Sequence, residues 1–243
     1  MKLRRVSSIV VLVLALASLA SRADAQWYFA GYLGANHTRP DDVRILQPAS
    51  SVDLTYSRVT FDAKPFQSPQ YYGWRLGRGL GSSGRVGIEV EFIHLKVIAE
   101  TDRSYVLNGH AGALSVADSS SHMDAVVQRY AMTHGLNFLV VNLVSRTPIG
   151  LGGGRLALVI RGGAGPTLPH AETSVGNQER QQYEWAGTGI HAAAGIEIRL
   201  HGRWSAVAEY KLTHASPTIS IAGGTGRTTA LTQHVAVGVV VGR

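Results

Sequence analysis

From residue 27 onwards the chain is dominated by alternation with a period of two. In 204–212, Trp204, Ala206, Ala208, Tyr210 and Leu212 share one face, while Ser205, Val207, Glu209 and Lys211 share the other. In 186–200, Ile190, Ile196, Ile198 and Leu200 oppose Gly187, His191, Gly195, Glu197 and Arg199. Near the end, Leu231, Val235, Val237, Val239 and Val241 oppose His234, Ala236 and Gly238, and in 86–92 Val86, Ile88, Val90 and Phe92 oppose Gly87, Glu89 and Glu91. Successive side chains of a strand point to opposite faces, so such runs predict strands with one apolar face. Eight are predicted: 27–37, 69–80, 86–98, 134–147, 154–166, 183–200, 203–214 and 229–241.

Most of these segments exceed the roughly 9–11 residues that a tilted strand needs to cross a bilayer. The connections after the second, fourth and sixth strands (81–85, 148–153, 201–202) are short and mostly Gly-rich, whereas 38–68, 99–133, 167–182 and 215–228 are longer. Short turns at one end and long loops at the other predict an all-β fold, an eight-stranded antiparallel up-and-down transmembrane β-barrel. Its long loops would be extracellular, its short turns periplasmic, and both chain ends periplasmic. Residues 52–61 (Val52, Leu54, Tyr56, Val59, Phe61) predict a short strand beyond the membrane, and the polar 99–133 reads as a mobile loop.

Periodicity alone permits an inverted solution. A lipocalin-like carrier also has eight strands, with apolar residues inside and polar ones in water. The alternating loop lengths favour the membrane. So do aromatics near strand ends (Trp27, Tyr28, Trp74, Tyr183, Trp185, Trp204) and the many Gly on the polar face, where a narrow lumen needs room.

The first residues predict export. Lys2, Arg4 and Arg5 precede the apolar run Ile9 to Ala17, and Ala23-Asp24-Ala25 offers a small-x-small cleavage site before Gln26. That is the layout of a signal peptide over 1–25, leaving 26–243 as a single barrel domain. The net charge is +7, but residues 1–25 hold four of the 23 basic residues and one of the 16 acids, leaving +4. Basic residues are scattered singly, so no nucleic-acid partner is expected. There is no cysteine, which excludes disulfides, thiol nucleophiles and thiolate metal sites. The expected partners are outer-membrane lipid, lipopolysaccharide and the outer-membrane insertion machinery, with the protein a monomer in the outer membrane.

Gln26-Trp-Tyr-Phe-Ala-Gly-Tyr-Leu-Gly-Ala35 resembles the first strand of the OmpA-like and Opa-like small outer-membrane barrels. Gly87-Ile-Glu-Val-Glu-Phe-Ile-His-Leu-Lys96, Gly135-Leu-Asn-Phe138 and Gly163-Ala-Gly-Pro-Thr-Leu-Pro-His170 look closer to a subgroup labelled lipid A oxidase-like, as do Ala208-Glu-Tyr-Lys211 and Thr232-Gln-His234. The resemblance implies the barrel fold and, through the subgroup, an activity on lipid A. The chain departs from the family in ending Val239-Val-Val-Gly-Arg243 where an aromatic residue is usual.

Arg75, Glu89, Glu91, Arg161, His191, Glu197, Arg199, Glu209, Lys211 and His234 fall on the polar face and predict a charged network that fills the lumen. Buried charges must be paired, and an eight-stranded barrel is narrow enough for side chains to fill. His170 and Glu172, two apart on extended chain, point the same way and could share a metal ion if His94, His214 or another loop supplied a third ligand. Two ligands without a spacing motif fall short of a metal prediction, and no cofactor is expected. His214-Ala-Ser216 resembles the His-x-Ser of lipid A deacylases, but no Asp or Glu occurs from 215 to 243 to orient the base. Glycines 152–154 and 223–224 open no helix and read as turns. The function expected is therefore a non-catalytic envelope barrel, with a lipid A-modifying enzyme as the alternative.

Overall fold

The computed structural model describes residues 27–150 and 154–242. The predicted signal segment, with its cleavage site, lies outside them, as does most of the glycine run 152–154. Sixteen strands are present among the described residues. The first six are β1 (Trp27–Thr38), β2 (Asp41–Gln47), β3 (Val52–Val59), β4 (Phe61–Asp62), β5 (Tyr72–Leu80) and β6 (Val86–Ala99). Next come β7 (Ser104–Ala111), β8 (Leu114–His122), β9 (Val127–Ile149), β10 (Leu156–Val175) and β11 (Gln178–Tyr183). The chain ends with β12 (Thr188–His201), β13 (Trp204–Ala215), β14 (Thr218–Ile221), β15 (Gly224–Thr228) and β16 (Ala230–Val241).

Eight of these form a closed antiparallel barrel in the order β1-β5-β6-β9-β10-β12-β13-β16, with β16 pairing back onto β1. Closure comes from registers such as Phe29 with Val241 and Thr38 with Thr232, so the wall has no free edge. The barrel predicted from alternation is therefore present, and long connections alternate with short ones as expected. Both described ends of the chain lie at the short-turn end, where Gly242 N–H donates to the carbonyl of Arg203 at 3.1 Å.

Around the short-turn half of the barrel, Phe29, Leu33, Leu76, Leu143, Ile160, Ile190, Val235 and Val237 stand exposed on the outer face. Arg75, Glu89, Glu91, Arg161, Glu209 and Lys211 are buried on the inner one. The lipocalin-like inversion is thereby overturned, because it needs the charged face outward. Trp27 and Trp204 are exposed at one end of this band and Tyr72, Trp74, Tyr183 and Trp185 towards the other. Tyr28 departs from the expected girdle. It points inward, because its even position on β1 shares a face with Ala30 and Tyr32.

Three boundaries differ from the sequence reading by five residues or more. Strand β9 starts at Val127 rather than 134, β10 runs to Val175 rather than 166, and the strand expected over 183–200 begins at Thr188 as β12, with β11 (Gln178–Tyr183) falling almost wholly in the expected loop 167–182. The predicted mobile loop 99–133 is also corrected, since it carries β7, β8 and a short 3-10 turn at Met123–Ala125. Together with β2, β3, β14 and β15 these strands build a second, six-stranded sheet in the order β14-β15-β2-β3-β7-β8. The expected short strand within 52–61 is β3. Polarity misled the reading of 99–133 because Ser119, Ser120 and Ser121 lie on the sheet's edge strand, while Tyr105, Leu107, Met123 and Val127 are buried.

The two sheets share one apolar core. Val43, Ile45, Leu54, Tyr56, Ile219 and Ile221 of the second sheet cluster with Tyr130, Met132, Leu136 and Phe138 of β9 and with Ile93, Leu95 and Val97 of β6. Burying a large side chain of this kind contributes about 1.5–3 kcal/mol, which is what holds the long connections folded. The lumen is thus charged in its short-turn half and closed by apolar packing in its long-loop half.

Candidate functional site

Six ionic side chains meet in the charged half. Arg75 donates through Nε to Glu91 at 2.9 Å and through its terminal nitrogen to Glu209. Arg161 bridges Glu89, at 3.0 Å, and Glu209. Lys211 pairs with Glu91 and lies 3.4 Å from Glu209. The three cations and three carboxylates of this network balance. Glu91 also accepts the hydroxyl of Tyr32 at 2.7 Å and the amide of Asn142 at 2.7 Å, with His191 Nε2 at 3.1 Å. Tyr28 donates to Glu89 at 2.5 Å, and His234 bonds Thr213 at 2.9 Å.

The network ties β1, β5, β6, β9, β10, β12 and β13 together, and the separate Thr213–His234 bond joins β13 to β16. Arg75, Glu91 and Lys211 expose no more than 1% of their side chains. Nine of the ten predicted lumen residues are buried here or beside it. Arg199 is the exception. It is exposed at the short-turn end, and Arg146 takes the place predicted for it by gripping Glu197 with two bonds of 3.0 and 2.6 Å. The sequence reading missed Tyr28, Tyr32, Asn142 and Arg146. Parity along β9 carried the signal for two of them, since Val140, Asn142, Val144 and Arg146 are successive even positions.

A second cluster lies on the outer face of the wall, where β9 and β10 rise above the apolar band. Leu158 and Ile160 are exposed outward on β10, and the same alternation carries His170 and Glu172 outward higher up, where β11 flanks them. Their third partner is His134 on β9, not His94 or His214. Ligand atoms of His134, His170 and Glu172 all lie within 4.8 Å of one another. His134 Nδ1 is 2.9 Å and His170 Nδ1 3.5 Å from Glu172 Oε1. Thr133 donates to the same oxygen, while Arg129 holds Oε2.

Burial tends to raise the Glu172 carboxyl, but the donors Thr133 and His134 and the charge of Arg129 outweigh it and hold the group below the usual carboxylate range. Next to His134, Gly135 makes room for the neighbouring His94–Asn137 pair. Its φ is +104°, and a Cβ there would fall 2.4 Å from both His94 Nδ1 and Asn137 Oδ1.

His94 stays outside this cluster. Its Nδ1 bonds Asn137 at 2.8 Å and its ring stacks on Tyr72 at 4.9 Å. With His134, Tyr72, Phe92, Leu168 and Tyr183 it lines a groove on the outer face. The deacylase-like pair is not assembled. His214 is exposed, and Ser216 shares its hydrogen bond with Thr229 at 3.3 Å. Among the described residues no hydrogen bond joins His214 to Ser216 or to a carboxylate, so nothing activates the hydroxyl as a nucleophile.

No family model and no curated protein matches the chain. Similarity appears among solved structures. Neisserial surface protein A is 9% identical, with 90% of this chain and 99% of that one covered and a TM-score of 0.43. The outer membrane protein OprG of Pseudomonas aeruginosa is 10% identical, with 91% and 98% covered and a TM-score of 0.43. The outer membrane protease OmpT of Escherichia coli is 7% identical, with 91% and 99% covered and a TM-score of 0.48.

Proposed function

We propose that this protein is exported with residues 1–25 as its signal and acts as a sealed outer-membrane anchor that displays the six-stranded sheet at the cell surface. The reading rests on one observation, the inversion of the wall's two faces along single strands. On β9, Leu139, Val141 and Leu143 face outward and exposed, while Arg129 and His134 are exposed further up the same strand. On the inner face the order reverses, from Asn142 in the charged half to Leu136, Met132 and Tyr130 in the apolar half. A wall that meets hydrocarbon at one height and water at another favours this arrangement, because each medium selects its own outer residues. The neutral charged network below and the apolar core above support a non-conducting lumen.

A non-catalytic envelope role at the surface follows, through contacts made by the displayed sheet. The absence of cysteine permits a clean test. Asp118→Cys on the exposed β8 should react with a membrane-impermeant maleimide on intact cells, and Ser83→Cys, in a short turn, only after permeabilisation. The reverse labelling would refute the topology. Conductance steps from the purified protein in planar bilayers would refute the sealed lumen, and a shift in lipid A mass between cells with and without the protein would favour the lipid A-modifying enzyme instead.

A further inference from the structure

We propose that His134, His170 and Glu172 bind one divalent transition-metal ion, of which Zn2+ is the type, at the outer rim of the barrel. Two imidazoles and one carboxylate are a donor set suited to zinc and its neighbours, and three protein ligands leave coordination positions open. The spacing fits. Donor atoms about 2.0–2.1 Å from a tetrahedral zinc stand roughly 3.3 Å apart. His170 Nδ1 lies 3.5 Å and His134 Nδ1 2.9 Å from Glu172 Oε1.

An independent observation points the same way. The His170 side chain is only 11% exposed, and its buried Nδ1, on the side of Glu172, has no hydrogen-bond partner. A buried polar atom left in that state carries a desolvation cost, which a coordinate bond would offset. The surroundings also match those of a held ligand. Arg129 grips Glu172 Oε2, which fixes the carboxylate and turns Oε1 towards the two rings. The Arg129 side chain is half exposed, so water and salt screen its charge from a bound cation.

His170 sits at the fixed wall of the site, against Tyr183 at 4.3 Å, whereas the half-exposed His134 can turn onto an arriving ion. Binding would exchange the His134 and Thr133 hydrogen bonds to Oε1 for coordinate bonds. The groove lined by Tyr72, Phe92, Leu168 and Tyr183 adjoins His134, so the open positions would face the top of the outer apolar band.

The test uses the folded, untagged full-length barrel in detergent, because the chain has ten histidines and a His-tag would add sites of its own. Co2+ titration should give one equivalent with the intense visible absorption of a low-symmetry site, and Zn2+ should displace it. His134→Ala and Glu172→Gln should each weaken binding by more than the 10- to 100-fold that loss of a supporting partner costs, with His214→Ala as an unaffected control. His134 is half exposed, so its removal should leave the fold intact, as unchanged gel migration before and after boiling would show. Absence of one-equivalent binding overturns the proposal, as does a site whose affinity survives both His134→Ala and His170→Ala.

Discussion

Glu91 is the most connected group in the lumen, and its removal tests whether the network acts as structure. Glu91→Ala withdraws the acceptor of Tyr32, Arg75, Asn142 and Lys211 at once. It also leaves three cations against two carboxylates in a space where Arg75 and Lys211 are almost wholly buried. Breaking a buried ion pair from one side costs about 3–5 kcal/mol, chiefly because the partner charge is stranded. At about 2–4 °C per kcal/mol for a chain of this size, melting should fall by roughly 6–20 °C. Glu91→Gln keeps the acceptor but not the charge, and should fall less. The double variant Glu91→Gln with Lys211→Met restores the balance and should recover part of the loss, giving a coupling energy above about 0.5 kcal/mol. The assay is thermal unfolding in detergent, read by circular dichroism and by the migration shift between unboiled and boiled samples. Unchanged melting of Glu91→Ala would refute the reasoning, because it would mean that water fills the lumen and solvates these charges.

The corrected pairing at the short-turn end predicts that Arg146→Ala lowers thermal stability while the exposed Arg199→Ala leaves it within about 0.5 kcal/mol, measured by the same melts. Leu143→Arg places a charge on the outer apolar band. In bilayers it should cost about 2–4 kcal/mol if the position lies near the midplane, and an undiminished folding equilibrium in lipid vesicles would count against the membrane placement. The Glu172 carboxyl lies below its ordinary range, so its contribution is complete above the unfolded value and is lost as pH falls through the lower folded value. Melting of the wild type should therefore drop on acidification by more than that of Glu172→Gln, and parallel pH profiles would show that Glu172 gains nothing from Thr133, His134 and Arg129.

The barrel strands were legible because one face of the wall is apolar and exposed while the other packs paired charges, and that writes a period of two into the residues. Glu89, Glu91, Glu209 and Lys211 stood out as charges recurring at alternate positions among Val, Ile and Ala. Tyr28 and Tyr32 were hidden because an amphipathic ring suits either side of the wall, and only a carboxylate within reach of the hydroxyl decides between them. Arg199 was misassigned for a related reason. Parity places a residue on a face but not at a height, and at the end of β12 the inner face opens to solvent. The second sheet was largely illegible, since β7 and β8 carry Ser, Asn and His on a surface in water and show apolar residues only where they cover the core. The outer-rim cluster required His134 to meet His170 and Glu172 across the β9–β10 pairing, a contact that no local spacing encodes.

The same inversion of faces accounts for where that cluster stands. Along β9 and β10 the pairing continues past the charged half, from Leu156 opposite Ile149 to Val175 opposite Val127, with register shifts between Pro169 and Glu172 and between Ser174 and Val175. The first shift leaves residues 132–135 of β9 opposite 170–171 of β10, so a bulge in β9 stands at the height where the outer side chains change. Inside, charge gives way to Tyr130, Met132, Leu136 and Phe138, because the second sheet covers the barrel there and offers apolar partners. Outside, Leu168 gives way to His170 and Glu172 within one and two steps of alternation on β10, and on β9 the register shift turns the even-numbered His134 onto the face of Leu139 and Val141. A titratable group placed lower would meet the outer apolar band, and one placed higher would lose contact with Tyr72, Leu168 and Tyr183. The cluster occupies the height at which the outer face turns polar, with His134 exposed, His170 and Glu172 buried beside it, and the outer apolar groove within reach. A bound ion would be held at the same height.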